Sequence, residues 1–154
     1  DKANPKMRNQ IRWENVVYQD GNCEAIARTN GKVVARHKIV TVGKAVALKA
    51  VADNSDWKAD GMDLQHIRII AVDSKGRRVP NAVAEVKVNV VGDAQLVAMS
   101  NGNINSDELN VTDHQSLFNG SCLAILRSGV ASSPVIVNIS APGLKAAKLK
   151  LATK

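Results

Sequence analysis

The sequence predicts an all-β fold of two packed sheets, and three observations carry that prediction. The first is the apolar inventory: 20 Val and 10 Ile stand against 10 Leu, with 20 Ala and only four aromatic residues, Trp13, Tyr18, Trp57 and Phe118. β-Branched side chains fit a pleated surface and lose rotamer freedom in a helix. The second is alternation, with apolar residues at every other position in short runs. The third is punctuation, since clusters of Gly, Pro, Asn, Asp and Ser part these runs at intervals of about 8–12 residues. No segment carries a convincing helical period. At 154 residues, 45% hydrophobic and 23% charged, the chain has the composition of a globular protein with room for one ordinary domain or two small ones.

Along the chain, Gln10 to Val17 reads as a strand, closed by a turn at Gln19-Asp20-Gly21-Asn22. Cys23 to Arg28 and Lys32 to Val42 flank Asn30-Gly31, the strongest short hairpin signal, because both turn positions need positive φ. Three strands in residues 1–43 are too few to bury two faces, so this region is expected to be the end of a truncated immunoglobulin-like domain. The opening Asp1-Lys2-Ala3-Asn4-Pro5 reads as a cut inside a longer protein.

From Lys44 the strand pattern restarts. Val46 and Leu48 alternate with Ala47 and Lys49, and Leu64 to Val72 is a mostly apolar run suited to burial between layers. Asp73-Ser74-Lys75-Gly76 is a tight turn with Gly at its left-handed position, and Pro80 marks a strand edge or entry. Ala84, Val86, Val88 and Val90 face one way while Glu85, Lys87 and Asn89 face the other. Leu96 to Met99, Cys122 to Arg127, Val135 to Ala141, and a last run containing Leu149 and Leu151 complete the series. Asn101 to Asn119 is expected to be one long irregular surface crossover. About seven strands in residues 44–154 have the signature of a complete immunoglobulin-like β-sandwich.

Charge narrows the partners. Lys and Arg number 21 against 14 Asp and Glu, a formal charge of +7. The excess is spread along the chain, its densest run being Lys75-Gly76-Arg77-Arg78, with no basic stripe interleaved with stacking aromatics. A nucleic-acid partner is not expected. No run approaches the roughly 18 apolar residues of a membrane span, and no signal-peptide core opens the chain. Cys23 and Cys122 lie in apolar alternating runs outside any metal or redox spacing, so two buried thiols are expected rather than a disulfide.

Several segments look familiar. Trp13-Glu14-Asn15-Val16-Val17-Tyr18-Gln19-Asp20-Gly21, Asn30-Gly31-Lys32 and Thr41-Val42-Gly43 resemble the end of an accessory domain in bacterial family 2 β-galactosidases, with Val17 and Asp20 where that pattern has prolines. Lys58-Ala59-Asp60-Gly61-Met62-Asp63-Leu64, Asp73 to Gly76, Val79-Pro80-Asn81-Ala82, Ser100-Asn101-Gly102-Asn103, Phe118-Asn119-Gly120 and Leu126-Arg127-Ser128 resemble the C-terminal domain of the same enzymes. The resemblance implies a non-catalytic C-terminal region of a family 2 glycoside hydrolase. Its implied partners are the catalytic barrel and other domains of the parent enzyme, with carbohydrate and a second copy of the chain as further candidates. It also implies a periplasmic or extracellular parent protein. Asp60-Gly61 and the Asp73 to Ala82 pattern also resemble bacterial adhesin domains of the intimin and invasin type, and a stand-alone adhesion module is the alternative.

The residues offer little chemistry of their own. Hydrolysis in family 2 needs two glutamates about 5–5.5 Å apart on a barrel of about 250 residues, longer than this chain, whose only glutamates are Glu14, Glu24, Glu85 and Glu108. Asp53, Asp56, Asp60 and Asp63 lack the order of a calcium loop and read as turn caps. His37, His66 and His114 are too far apart for metal-ligand spacing. Asp113-His114-Gln115-Ser116 holds triad-type residues that cannot align as a relay from adjacent positions. No catalytic residue, metal site or cofactor is expected. Trp57 is the one candidate for binding, a large aromatic in a polar turn. It is read either as a sugar-stacking platform or domain anchor, or as a lid over the end of the sandwich.

Overall fold

The computed structural model describes residues 11–154, and every regular element among them is a strand. By contact they fall into two compact units, one ending at Thr41 and one spanning Val42–Lys154.

In the first unit, β1 (Asn22–Thr29) and β2 (Lys32–Val40) form an antiparallel hairpin. Its turn residues Asn30 and Gly31 have φ of 49° and 78°, the positive values that a twist-matched two-residue turn requires. Tyr18 Oη donates to Asp20 Oδ1 (2.7 Å), and Gly21 N donates to Thr41 Oγ1 (3.1 Å) at the open end. The strand expected over Gln10 to Val17 is not formed: Gln10 lies outside the described residues, and Ile11–Val17 have no regular structure. Asn15 takes φ 58°, a left-handed conformation that takes the backbone out of the extended region. The described part of this unit therefore has two strands, not three.

The second unit contains β3 (Ala47–Ala52), β4 (Leu64–Val72), β5 (Glu85–Val91), β6 (Ala94–Ser100), β7 (His114–Ser116), β8 (Ser121–Ser128), β9 (Pro134–Ala141) and β10 (Leu144–Ala152). They form two four-stranded layers, β6-β8-β4-β3 and β10-β9-β5-β7. The layers join where β10 runs parallel to β3 at Lys145 and Ala47, and every other pairing between these strands is antiparallel. The alternation read from the sequence sets what lies between them. Ile67, Ile69 and Ala71 of β4 and Ala124 and Leu126 of β8 share one core with Val86 and Val88 of β5 and Val135, Val137 and Ile139 of β9. Burial of these aliphatic side chains is the main favourable term holding the layers together.

Two turns depend on glycine. Gly76 (φ 73°) closes the Asp73 turn, with its N–H donating to Asp73 O at 2.9 Å. Gly120 (φ 68°) lies so close to Val79 that an added Cβ would fall 2.0 Å from the carbonyl oxygen of Val79. Pro80 stands at the entry side of β5, in the Val79–Ala82 turn, where Ala82 N donates to Val79 O at 3.1 Å.

The long crossover also differs from expectation, because Asn101 to Asn119 contains β7, which pairs with β5 at Glu85↔Ser116, Val86↔Gln115 and Lys87↔His114. His-Gln-Ser has no apolar alternation to announce a strand. The rest of the connection runs from one sheet to the other. Met99 N of β6 donates to Asn110 O at 2.7 Å, and Val88 N of β5 donates to Asp113 O at 2.8 Å.

Candidate functional site

Trp57 lies at the end of the sandwich where β3 leads into β4. It is 1% exposed and belongs to the central core. Its indole Nε1 donates to Asp63 O at 3.0 Å. On the backbone, Lys154 N donates to Trp57 O (2.9 Å) and Ala59 N to Lys154 O (2.8 Å), which ties the end of β10 to this segment. In this position the ring presents no face to a sugar, and its surroundings are those of a lid.

The neighbouring aspartates cap turns. Asp60 Oδ1 accepts the N–H groups of Met62 (2.9 Å) and Asp63 (2.7 Å), and Asp63 Oδ2 accepts Lys58 N at 2.8 Å. These backbone donors, Met62 first, hold the Asp60 carboxyl below the ordinary carboxylate range. Asp53 and Asp56 are exposed and pair with Arg68 and Lys154 at 3.3 and 3.2 Å. Among the described residues no three His, Cys, Asp or Glu side chains converge as metal ligands would.

His114 and Asp113 are exposed neighbours, with Nδ1 2.9 Å from Oδ1 and Lys87 Nζ 3.3 Å from Asp113 Oδ2. The bond to Asp113 raises the pKa of His114. Gln115, next along β7, is buried, so the Asp-His-Gln-Ser run is divided between surface and interior. The cysteines are likewise divided. Cys122 is buried with its thiol pushed up to about 12 by desolvation, whereas Cys23 is exposed on the hairpin, contrary to the expectation of two buried thiols. Alternation places Cys23 on an apolar face, but among the described residues nothing in its unit covers that face.

Sequence reasoning did not single out the feature with the most converging polar groups, the start of the long crossover. There Glu108 is surrounded by donors. Its Oε2 accepts from Asn101 Nδ2 (3.0 Å), Ser106 Oγ (3.0 Å) and Gln115 Nε2 (2.8 Å), and its Oε1 from Ser116 N (3.0 Å). Hydrogen bonding by Ser116 first, then Ser106 and Gln115, outweighs partial burial and holds the carboxyl below its ordinary range. Asn101 Nδ2 also donates to Ser116 O at 2.9 Å, which fastens the loop to β7. Around this hub lies an open cleft of about 220 Å³, walled by Ser100, Asn101, Asn103, Ser106, Asn110 and Gln115, with Ile104 on its border. The available signal was compositional: a long loop rich in Asn and Ser, with Asp107, Glu108 and Asp113 as its acidic residues, needs an internal anchor to be ordered.

Comparison with known proteins agrees with this architecture. The family model for the glycoside hydrolase family 2 C-terminal domain 5 matches residues 48–150, and a model for a domain of unknown function matches residues 1–35. The chain is 31% identical over 144 residues to a beta-galactosidase of Bacteroides ovatus, covering 94% of this chain and 17% of that protein. It is 28% identical over 147 residues to a beta-glucuronidase of Formosa agariphila, covering 93% of this chain and 15% of that protein. A solved family 2 glycosyl hydrolase from Bacteroides cellulosilyticus superposes with a TM-score of 0.91 at 31% identity, over 96% of this chain and 20% of that one. The D00-D0 domain of intimin, at 16% identity and a TM-score of 0.52, shares the fold alone. The chain thus spans under a fifth of the two curated relatives. With two thirds of its residues under one family model, it belongs to the C-terminal domains of glycoside hydrolase family 2.

Proposed function

We propose that this chain is a non-catalytic, C-terminal part of a larger family 2 glycoside hydrolase. In that reading residues 44–154 are a complete sandwich that packs beside the catalytic barrel, and residues 1–43 are the last strands of the sandwich before it. The observation that carries the reading is the family match over 48–150, on a chain that spans 17% of the Bacteroides ovatus relative. The hairpin supports the second half. All residues of β1 and β2 are exposed, and an isolated two-stranded hairpin is at best marginally stable in water. Its register sets Cys23, Ala25, Ala27, Ala35, His37 and Ile39 on one face, opposite a face carrying the Glu24–Arg36 pair at 3.1 Å. A mostly apolar face beside a charged one is the layout of a sheet with one side meant for a core.

The activity of the parent protein is part of the same proposal. Relatives named for galactoside and for glucuronide cleavage share this region, so the region is assigned no role in choosing between those substrates. The test has two arms. The 154-residue chain alone is expected to release no chromophore above a buffer blank from nitrophenyl β-galactoside or β-glucuronide. The reading frame upstream is expected to encode a barrel with two catalytic glutamates. Turnover by the isolated chain, or an upstream frame of tandem sandwiches with no barrel, overturns the proposal, and the tandem sandwiches would establish the adhesion module in its place.

A further inference from the structure

The two layers of the sandwich turn different faces outward. In β10-β9-β5-β7 the central outward residues are polar: Lys87 and Asn89 of β5, Asn138 and Ser140 of β9, Lys148 and Lys150 of β10. That is the alternation of an antiparallel sheet facing water. The outward row of β6-β8-β4-β3 is different. Across β4 and β8, Arg68 pairs with Leu123, His66 with Ile125 and Ile70 with Ser121, and Val51 of β3 pairs with Arg68. Ile70, Leu123 and Ile125 thus form a continuous apolar diagonal, half-buried although no further layer of this unit lies over it. Val51, 45% exposed, widens it. β4 and β8 therefore carry apolar residues on both sides, the pattern of strands whose sheet is covered on both faces. A contiguous apolar patch of this kind marks an interaction surface.

Charge decides which occupant fits. The four strands of this layer contain no Asp or Glu, and Lys49, Arg68 and Arg127 point outward around the diagonal. Arg68 has one carboxylate partner, Asp53 at 3.3 Å, and Arg127 donates to the neutral Gln95 at 2.8 Å. The face keeps an excess of positive charge. A two-fold dimer through it would set that excess against itself, so a second copy is a poor occupant. The chain covers 17% of the Bacteroides ovatus relative and 20% of the solved Bacteroides cellulosilyticus chain, which leaves most of such a polypeptide to supply the cover. A partner tethered in the same chain docks at high effective concentration and needs only a modest patch. The largest single body in that remainder would be a catalytic barrel of about 250 residues.

We infer that the outer face of β6-β8-β4-β3 is the surface on which this sandwich docks against the catalytic barrel of its parent enzyme, at an apolar patch of the barrel rimmed by Asp and Glu. The inference rests on the reading that such a barrel precedes the chain, and it adds the face and the chemistry of the contact.

The test is thiol accessibility in the full-length parent protein and in the 154-residue chain. Ile70→Cys and Val51→Cys report on this face, and Asn138→Cys reports on the opposite one. Peptide mapping after trypsin separates each from Cys23 and Cys122. Maleimide labelling at the first two positions is expected to be about tenfold or more slower in the full-length protein than in the isolated chain, with Asn138→Cys labelled equally in both. A benzophenone maleimide attached at Ile70→Cys should cross-link to a barrel peptide on irradiation. Arg68→Glu combined with Arg127→Glu should return labelling in the full-length protein to the isolated-chain rate. If Ile70→Cys fails to fold, Val51→Cys carries both measurements. Equal labelling of this face in the two proteins, protection of Asn138→Cys instead, cross-links to another domain or to a second copy, or protection that survives the charge reversal overturns the inference and leaves the scaffold reading standing. An upstream frame without a barrel is a separate result, which overturns that reading and this inference with it.

Discussion

Trp57 illustrates how a residue that stands out in a sequence can owe its place to packing. A large aromatic among Asp, Asn and Ser left both a surface role and a lid open, and that polar turn folds over the open end of the sandwich and carries the indole into the core. Trp57→Ala should therefore destabilise the protein by about 3–5 kcal/mol, the usual range for a buried Trp truncation. Trp57→Phe keeps most of the packing, loses the bond to Asp63 O, and should cost about 1 kcal/mol. Chemical denaturation of both variants checks the order, and a Trp57→Ala variant of unchanged stability would refute the lid role. Asp73 makes a different kind of anchor. Its side chain is 1% exposed. It accepts from Arg77 Nε (2.9 Å) and from the N–H groups of Gly43 (3.0 Å), Lys75 (2.9 Å) and Arg77 (3.0 Å). The Arg77 guanidinium first, then these amides, hold its carboxyl far below its ordinary value of 3.8. Because the folded value is depressed, the stabilisation is fully present above the unfolded value and is lost as pH falls through the folded one. The melting temperature of Asp73→Asn should accordingly lie below wild type at neutral pH, with the gap narrowing steadily below about pH 4. A gap independent of pH would refute this assignment.

The strands show where alternation is a sufficient guide and where it is not. β4 begins and ends at the expected Leu64 and Val72, because an apolar run bounded by Asp63 and Asp73 leaves little choice of boundary. β5, β8, β9 and β10 were legible for the same reason. β7 was not, since its polar residues are extended only because β5 offers an edge to pair with. The opposite error, over Ile11–Val17, has the same cause: an alternating segment with no partner strand among the described residues stays irregular. The cysteines report this difference between elements chemically. Cys23 lies on the uncovered hairpin, whereas Cys122 sits in β8 between the layers with its thiol pushed up to about 12. A thiol reagent at pH 8 should label Cys23 at once and Cys122 only after denaturant unfolds the sandwich, since the thiolate is the reactive form. Mass spectrometry of tryptic peptides would read the ratio, and equal labelling in the native state would contradict the layering.

For the whole molecule, the family follows from the match over residues 48–150, and the sandwich explains why a region with so little chemistry persists as a unit. A closed double layer with one continuous aliphatic core needs no ligand to hold it together. The class of fold, most strand positions and the hairpin turn could be read from residue order alone. Each follows from local physics: period-two burial, and the positive φ that Asn30 and Gly31 supply. Three matters were settled only when distant segments came together. They are the burial of Trp57, the pairing of polar β7, and the gathering of Asn101, Ser106, Gln115 and Ser116 around Glu108. In each case the deciding partner lies across a turn or on a facing strand, and hydrogen-bond geometry and burial between such partners have no period along the chain.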